Sequence, residues 1–439
     1  MTLSFPLVIS NVINTLYSLA DGLWLAQLSS TQFAATSFVW PILFLFISLA
    51  IGMSIAGTSI IAQLIGAEQK KRASDYANHL IVMSIIVGIV VTIVGTLITP
   101  HILTWMGAGE DLYDYSLDYV RINIFGFVVD SLFFAFQAIL NAQGKTKDTT
   151  IIGALSGIVN IVLDPILIFT NIPFINLPGL GLEVKGAAIA TVISKVVAVA
   201  IGAYRINHDK SELDVSLKGF KWNRNMASHI MKVAFPTAIG RSSSALGFII
   251  MNGFIISYGP QVVAAFSMVN RITDFWMQIS MGIGAAMTSI IAQNIGAKQI
   301  DRAKETIKEA KVLVWITSLI GILILVFFTD GVLSIFVNKA KEPMVFAHAL
   351  DYMKYDIFMI PPMGLFNIYL GIFQGTGKTR YSMNMSMGRL WFIRIPMVLI
   401  FKNFTGLEQT GIWISMLVSN IVIILYALTI FRTKKIIED

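Results

Sequence analysis

The 439-residue chain has no cysteine, which excludes disulfides, thiolate metal sites and cysteine nucleophiles in one step. Histidine is almost as scarce. The five, at 79, 101, 208, 229 and 348, fall at the ends of apolar runs or in connections and share no metal-ligand spacing, so no transition-metal site is expected. Charged residues make up only 13% of the chain, and the one extended hydrophilic stretch, about 207–228 (NHDKSELDVSLKGFKWNRNMAS), is too short for a soluble catalytic domain. G-x-S-x-G and H-E-x-x-H patterns are also missing. Together these absences argue against an enzyme and against a bound cofactor. Gly-Lys-Thr does occur twice, at 144–146 and 377–379, but a Walker A loop needs a glycine five residues earlier, where Ile139 and Ile372 stand. A turn carrying a basic residue accounts for both copies.

What the chain has in abundance is apolar residues: 56% are hydrophobic and the mean hydropathy is +0.74. That composition describes an all-α polytopic membrane protein. Twelve candidate spans run approximately over 4–28, 34–64, 78–100, 117–142, 149–170 and 185–205, then 229–257, 262–294, 312–336, 349–375, 381–401 and 410–431. The first lacks a basic leader region and a small-residue cleavage site, so it reads as a retained span. The domain reading is an N-terminal six-helix lobe over 1–206, a linker over 207–228 and a C-terminal six-helix lobe over 229–439. Alternate connections hold 20 and 4 of the 32 basic residues, which places the rich set and both termini in the cytoplasm of an inner-membrane protein. The formal net charge of +7 is then mostly topology, and nucleic acid is not an expected partner.

An internal repeat supports two lobes. Ser59 to Ala67 reads SIIAQLIGA and Ser289 to Ala297 reads SIIAQNIGA, eight of nine identical at an offset of 230. Phe5-Pro6 matches Phe235-Pro236 at the same offset, and Asp21-Gly22 matches Asn252-Gly253 with one residue inserted. Six spans per copy give both halves the same orientation, which predicts pseudo-symmetric lobes flanking a central cleft.

Polar residues inside the spans carry the chemistry. An aspartate at a helix centre costs about 2.5–3.5 kcal/mol on insertion scales, so Asp21 should face protein or water. Asn11, Asn14, Ser18 and Asp21 share one helix face at spacings of 3, 4 and 3. In the fifth span Ser156, Asn160 and Asp164 recur every four residues, and Pro165 should free the carbonyl of Ile161. Thr191 and Ser194 follow in the sixth span. Carboxylates, an amide oxygen, a hydroxyl and a free carbonyl are hard oxygen ligands suited to Na+, and two close carboxylates can equally hold a proton. A purely structural polar patch is the competing reading. Asp130, Gln137 and Asn141 form a further polar face on the fourth span, which could serve substrate or simply bridge helices. Lys195, four residues after Thr191, either snorkels or pairs with a carboxylate. In the C-terminal half Arg241, Arg271, Asp274, Asp356, Arg389 and Arg394 are intramembrane charges; Asn270, Arg271, Asp274 and Gln278 share a face, with Arg271 and Asp274 spaced to neutralise each other.

The duplicated SIIAQ-x-IGA segments, LADGLWLA in the first span and NIVLDPILI with GAAIATVIS in the fifth and sixth resemble the multidrug and toxic compound extrusion (MATE) family. The aspartate pattern is similar to that of its prokaryotic DinF-like branch. The resemblance covers essentially the whole chain. It implies export of organic, often cationic and amphipathic compounds in exchange for Na+ or H+ by alternating access, with Asp21, Asn160, Asp164 and Thr191 as the cation-coupling residues. Candidate cavity residues are Asn14, Ser18, Asp130, Gln137, Arg241, Asn252, Asp274 and Gln278. The expected partners are lipophilic organic cations or other small molecules and membrane lipid, with the chain acting as a monomer. A lipid-linked precursor flippase of the same superfamily and a non-transporting scaffold or receptor are the alternatives. The C-terminal arginines keep the first of these open, and a lengthened outer connection over Asn171 to Pro178 is a departure from the family pattern.

Overall fold

A chain segment in lipid must satisfy every backbone N–H and C=O internally, and the helix is the economical solution for isolated spans. The computed structural model describes residues 5–9, 13, 21–25, 27–173, 177–208, 213–337 and 339–437. Among them the regular structure is helical apart from one antiparallel bridge, Asn171 with Pro178. Residues 5–9 and 21–25 are helical. Then come α1 (Ser30–Gly66), α2 (Lys70–Trp105), α3 (Glu110–Phe125), α4 (Phe127–Ala142), α5 (Thr146–Ile168) and α6 (Glu183–His208). The second half contains α7 (Arg224–Ile256), α8 (Pro260–Gly296), α9 (Ile300–Phe336), α10 (Pro343–Asp356), α11 (Ile360–Gly375), α12 (Thr379–Met387), α13 (Ile395–Phe404) and α14 (Thr410–Thr433). Nine helices among the described residues are long and apolar enough to cross a membrane, or ten with α3 and α4 taken as one bent span. With α12 and α13 taken as one broken span, the described helices account for eleven of the twelve spans read from hydropathy, and the helical residues 5–9 and 21–25 fall within the first.

Three spans depart from the straight helices that hydropathy suggests. The fourth bends by 48° at Gly126, where an added Cβ would stand 2.4 Å from Val192 Cγ2, so the glycine is what lets α6 close on the bend. The seventh starts at Arg224, inside the stretch read as linker, because the Asn223 side chain caps it by accepting from the backbone N–H of Asn225 at 2.9 Å and Met226 at 3.3 Å. The eleventh widens into a π-helical turn over Gly388–Arg394; Pro396, just beyond, has no N–H to continue the ladder.

The repeat is reproduced in backbone detail. Each SIIAQ-x-IGA segment ends its helix with the same turn: Ala67 N–H donates to Gln63 O at 2.9 Å and Ala297 to Gln293 O at 2.9 Å. The following residues, Glu68 and Lys298, both adopt left-handed φ, +59° and +57°. Gly144 and Gly377 of the Gly-Lys-Thr copies are left-handed too, at +74° and +71°, a conformation glycine adopts without strain. The turn is thus a helix-to-helix corner, not a phosphate cradle. The exposed apolar stripes also repeat. Ile86, Ile89, Val90, Ile93, Val94 and Leu97 on α2 are exposed, as are Ile316, Leu319, Ile320, Leu323, Ile324 and Phe327 on α9, each 230 residues on. At spacings of three and four these form one helix face, the face that meets lipid.

Residues Met1–Ala238 and Ile239–Asp439 form two compact units. The first has a core around Val39, Phe46, Val91, Leu103, Ile124 and Phe127. The second is centred on Trp413, Tyr352, Phe346, Met353 and Ile412, with the Tyr352 and Trp413 rings 4.2 Å apart.

Candidate functional site in the first unit

The site is built on the pairing of α5 with α6. Read along the antiparallel contact, Ser156 Oγ donates to Ser194 O at 2.9 Å and Asn160 meets Thr191. Further along, Ile168 packs with Ala187. The four-residue spacing of the polar residues on α5 therefore lines one seam. Gly186 makes the seam close: a Cβ there would lie 2.6 Å from both the carbonyl carbon and oxygen of Leu167 and 2.9 Å from Ile168 N. Pro165 interrupts the ladder of α5, and the outer connection repairs its end. Leu180 N–H donates to Ile166 O at 2.8 Å, Leu182 to Leu167 O at 2.8 Å and Gly181 to Phe169 O at 3.0 Å, covering carbonyls that a helix end leaves open. The lengthened segment Asn171 to Pro178 is pinned at its base by Ile172 N–H to Leu177 O at 2.8 Å; residues 174–176 lie outside the described residues.

Asn160 and Asp164 are fully buried at this seam. With the Asn160 amide turned so that its nitrogen faces the carboxylate, Nδ2 donates to Asp164 Oδ2 at 2.9 Å and the amide oxygen accepts from Thr191 N–H at 3.2 Å. The opposite orientation offers only a 3.5 Å contact from Nδ2 to Thr191 Oγ1, so the network selects the first. Asn160 thus bridges the two helices and orients the carboxylate.

The first span brings Asp21 to the same depth. Leu25, one helical turn past Asp21, sits in one buried cluster with Ile168, one turn past Asp164, and the Trp24 and Phe169 rings meet edge to face at 6.1 Å. At the other end Thr150 Oγ1 donates to Pro6 O at 2.7 Å, so the first span follows α5 in the same direction. The Asp21 charge is close enough to act on Asp164. Asp21 Oδ1 is buried and has no hydrogen-bond partner among the described residues. An unsatisfied buried acceptor costs about 1–3 kcal/mol, more when it is charged. A carboxylate oxygen in that position, at the level of a second carboxylate, is complementary to a small cation or a proton.

The remaining candidates are more scattered. Asn11, Asn14 and Ser18 lie outside the described residues. Asp130, in the first turn of α4, stands 3.9 Å from Lys195 on α6, a pairing that the sequence left as one of two readings. Gln137 lines a small cavity with Phe133, Leu140, Thr149 and Ile152. Asn141 accepts from Thr149 Oγ1 at 3.1 Å and so ties α4 to α5. In the second unit Asn252 and Asp274 are exposed and Gln278 is half-buried. The Arg271 charge reaches Asp274. Arg241 keeps a buried Nε with no acceptor among the described residues. Asn252, the repeat counterpart of Asp21, thus has nothing of its buried character.

A buried network in the second unit escaped the sequence reading. Tyr352 OH stands 3.1 Å from Asn270 Oδ1 and 3.2 Å from Asp356 Oδ1, sharing its one proton between the two acceptors, and Asp356 Oδ2 has no hydrogen-bond partner among the described residues. Arg394, buried, donates from Nε to Ser419 Oγ at 2.9 Å and from Nη2 to Asn420 Oδ1 at 2.8 Å. The four-residue spacing of Tyr352 and Asp356 on one helix was the available signal. Among the described residues no group of three His, Cys, Asp or Glu side chains lies together as a metal cluster.

A family model described as MatE matches residues 6–166 and 236–400. The chain is similar to "Probable multidrug resistance protein YoeA" of Bacillus subtilis (strain 168), at 27% identity over 93% of this chain and 88% of that one. It also resembles the solved structure of a transporter from Pyrococcus furiosus, described by the words "Reverse polarity of binding pocket suggests different function of a MOP superfamily transporter". The TM-score is 0.91 at 25% identity, over 100% of this chain and 96% of that one. An outward-facing multidrug resistance MATE family transporter gives a TM-score of 0.90 at 25% identity, over 99% of this chain and 94% of that one.

Proposed function

Because the chain belongs to the MATE family, whose members are membrane transporters rather than enzymes, we propose that it is a secondary antiporter exporting organic, cationic and amphipathic compounds in exchange for Na+ or H+. The observation that carries this reading is the unpartnered, buried Asp21 oxygen held level with Asp164. A coupling cation at Asp21 and Asp164, with Asn160 and Thr191 completing the site, neutralises two carboxylates that otherwise repel each other. Its binding draws the first-span helix and α5 together, while its loss releases them; a ligand shifts such an equilibrium only through its differential affinity for the two arrangements. The six-helix halves over 1–206 and 229–439, joined by the cytoplasmic stretch 207–228, are the bodies that rock between inward-open and outward-open states. Both termini lie in the cytoplasm, in keeping with the basic residues counted above.

Separately imposed gradients name the ion. Proteoliposomes loaded with ethidium should show efflux under an inward Na+ gradient or under an inward proton gradient, and one of the two should dominate by about tenfold or more. Equal rates with either gradient and with none would remove coupling from the account.

One observation favours a second reading, an anionic or lipid-linked substrate. Arg389 is buried, its Nε has no acceptor and its side chain no acidic partner among the described residues, and its guanidinium lies 4.4 Å from the centre of the Phe366 ring. A flippase of this kind would depend on Arg389 and Arg241 rather than on Asp21.

A further inference from the structure

Lys195 and Asp130 take no part in the cation site, yet their surroundings have the chemistry of a cation receptor. Lys195 Nζ sits 4.5 Å above the centre of the Phe133 ring and 6.0 Å from that of Phe134. A carboxylate and an aromatic face converging on an ammonium is the arrangement by which proteins recognise organic cations. Its geometry is loose. At 3.9 Å the Lys195–Asp130 contact is an ion pair without a direct hydrogen bond, and both side chains are mostly buried, at 24% and 18% exposed. Partial burial makes each charge costly to leave alone, while the distance makes the pair weak.

The pair also stands at the head of the cavity described above. Asp130, Phe133, Gln137 and Leu140 follow one another along one face of α4, and Lys195, Ala198 and Gly202 do the same on α6. Phe133 belongs both to the ammonium's site and to the cavity wall. Thr149 and Ile152 of α5 close the third side. The lining is aromatic and aliphatic with one amide and one hydroxyl, and the enclosed space is only about one water in size, so the carboxylate and the ring, not the cavity, offer the contacts for a cation.

We propose that Asp130 and Phe133 form a docking subsite for the charged group of an organic cation, and that Lys195 is a tethered competitor that occupies this subsite until substrate displaces it. This inference rests on the reading of the chain as an exporter of organic cations and adds to it a residue that sets affinity. When substrate arrives, the lysine ammonium leaves Asp130 and the Phe133 ring and the substrate cation takes both contacts. The net charge of the subsite is then unchanged, so substrate is accepted without burying an extra uncompensated charge. The tether also sets selectivity, because a neutral lipophilic compound cannot replace the ammonium and must leave the ion pair in place.

The test is equilibrium binding of tetraphenylphosphonium to the purified full chain in detergent, with no gradient present. Lys195→Met keeps the length of the stem and removes the competitor, so affinity for the probe should rise about tenfold. Lys195→Arg keeps the competitor and should bind no more tightly than wild type. Asp130→Asn leaves the lysine cation facing the subsite with no carboxylate to attract the probe, and affinity should fall about tenfold or more. A neutral lipophilic dye should bind all four proteins equally, a result that a merely structural role for the pair would not give. Unchanged or weaker tetraphenylphosphonium binding by Lys195→Met, in protein that elutes as a single species, overturns the proposal. Because binding is read without a gradient, failure of antiport would show as absent flux with this order of affinities intact. Failure of the present inference would show as normal flux with the order lost.

Discussion

Replacing Asp21 by asparagine is expected to reduce gradient-driven efflux to the level of empty liposomes while leaving the protein folded. The side chain contributes no hydrogen bond from Oδ1, so its loss removes no structural contact of that atom. Asparagine is nearly isosteric and carries no charge to desolvate, and neutral replacement of a buried charge is often neutral or stabilising. The apparent melting temperature should therefore hold or rise by a few degrees. What disappears is the second carboxylate at the level of Asp164, and with it the charge that makes a cation necessary. A loss of stability in parallel with the loss of transport would instead identify Asp21 as a structural residue.

The second large effect is expected at Gly186, a position with no chemistry of its own. Gly186→Val would drive a side chain into the backbone of Leu167 and Ile168, where the nearest atoms are 2.6–2.9 Å from the first added carbon. Backbone cannot rotate away as a flexible side chain does. Overpacking of this kind costs about 1–3 kcal/mol and sometimes more. Here the strain falls three residues past Asp164, on the stretch of α5 that Pro165 has already deprived of a ladder hydrogen bond and that residues 180–182 hold in place. The seam through Asn160 and Thr191 should open, with a drop of several degrees in apparent melting temperature and at least a tenfold loss of flux. Gly253→Ala is the control. It has open space around it and should be silent in both assays.

Much of this architecture can be read from the sequence because its causes are local. Span length, the four-residue spacing of Ser156, Asn160 and Asp164, and the 230-residue offset of the SIIAQ-x-IGA copies each depend only on neighbours along one helix. The lipid-facing stripes of α2 and α9 follow the same rule, residue for residue. The bridge from Asn160 to Thr191 depends on two helices meeting, yet the polar residues of both spans marked where to look.

Other features depend on partners far away in sequence. Gly126 looks like any membrane glycine until Val192 of α6 is found against it. The start of α7 at Arg224 is set by the Asn223 cap, which a hydropathy scan passes over because those residues are polar. Asp130 and Lys195 are 65 residues apart, and nothing in either span says which carboxylate a lysine will find. In the second unit Tyr352, Asp356 and Asn270 come from two helices far apart in sequence, and single intramembrane charges could be noted but not joined. Arg271 and Asp274 are matched by spacing, while the buried network begins one residue away on α8, at Asn270.

That second network supplies the sharpest contrast for the central claim, that the coupling cation binds at Asp21 and Asp164. The decisive measurement is cation release on addition of tetraphenylphosphonium to purified protein without a gradient, followed with a proton-sensitive dye in weak buffer and with a sodium electrode. Release is expected from the wild-type chain, with its loss in Asp21→Asn and in Asp164→Asn and its persistence in Asp356→Asn. Release that survives both first-unit substitutions and vanishes with Asp356→Asn would contradict it.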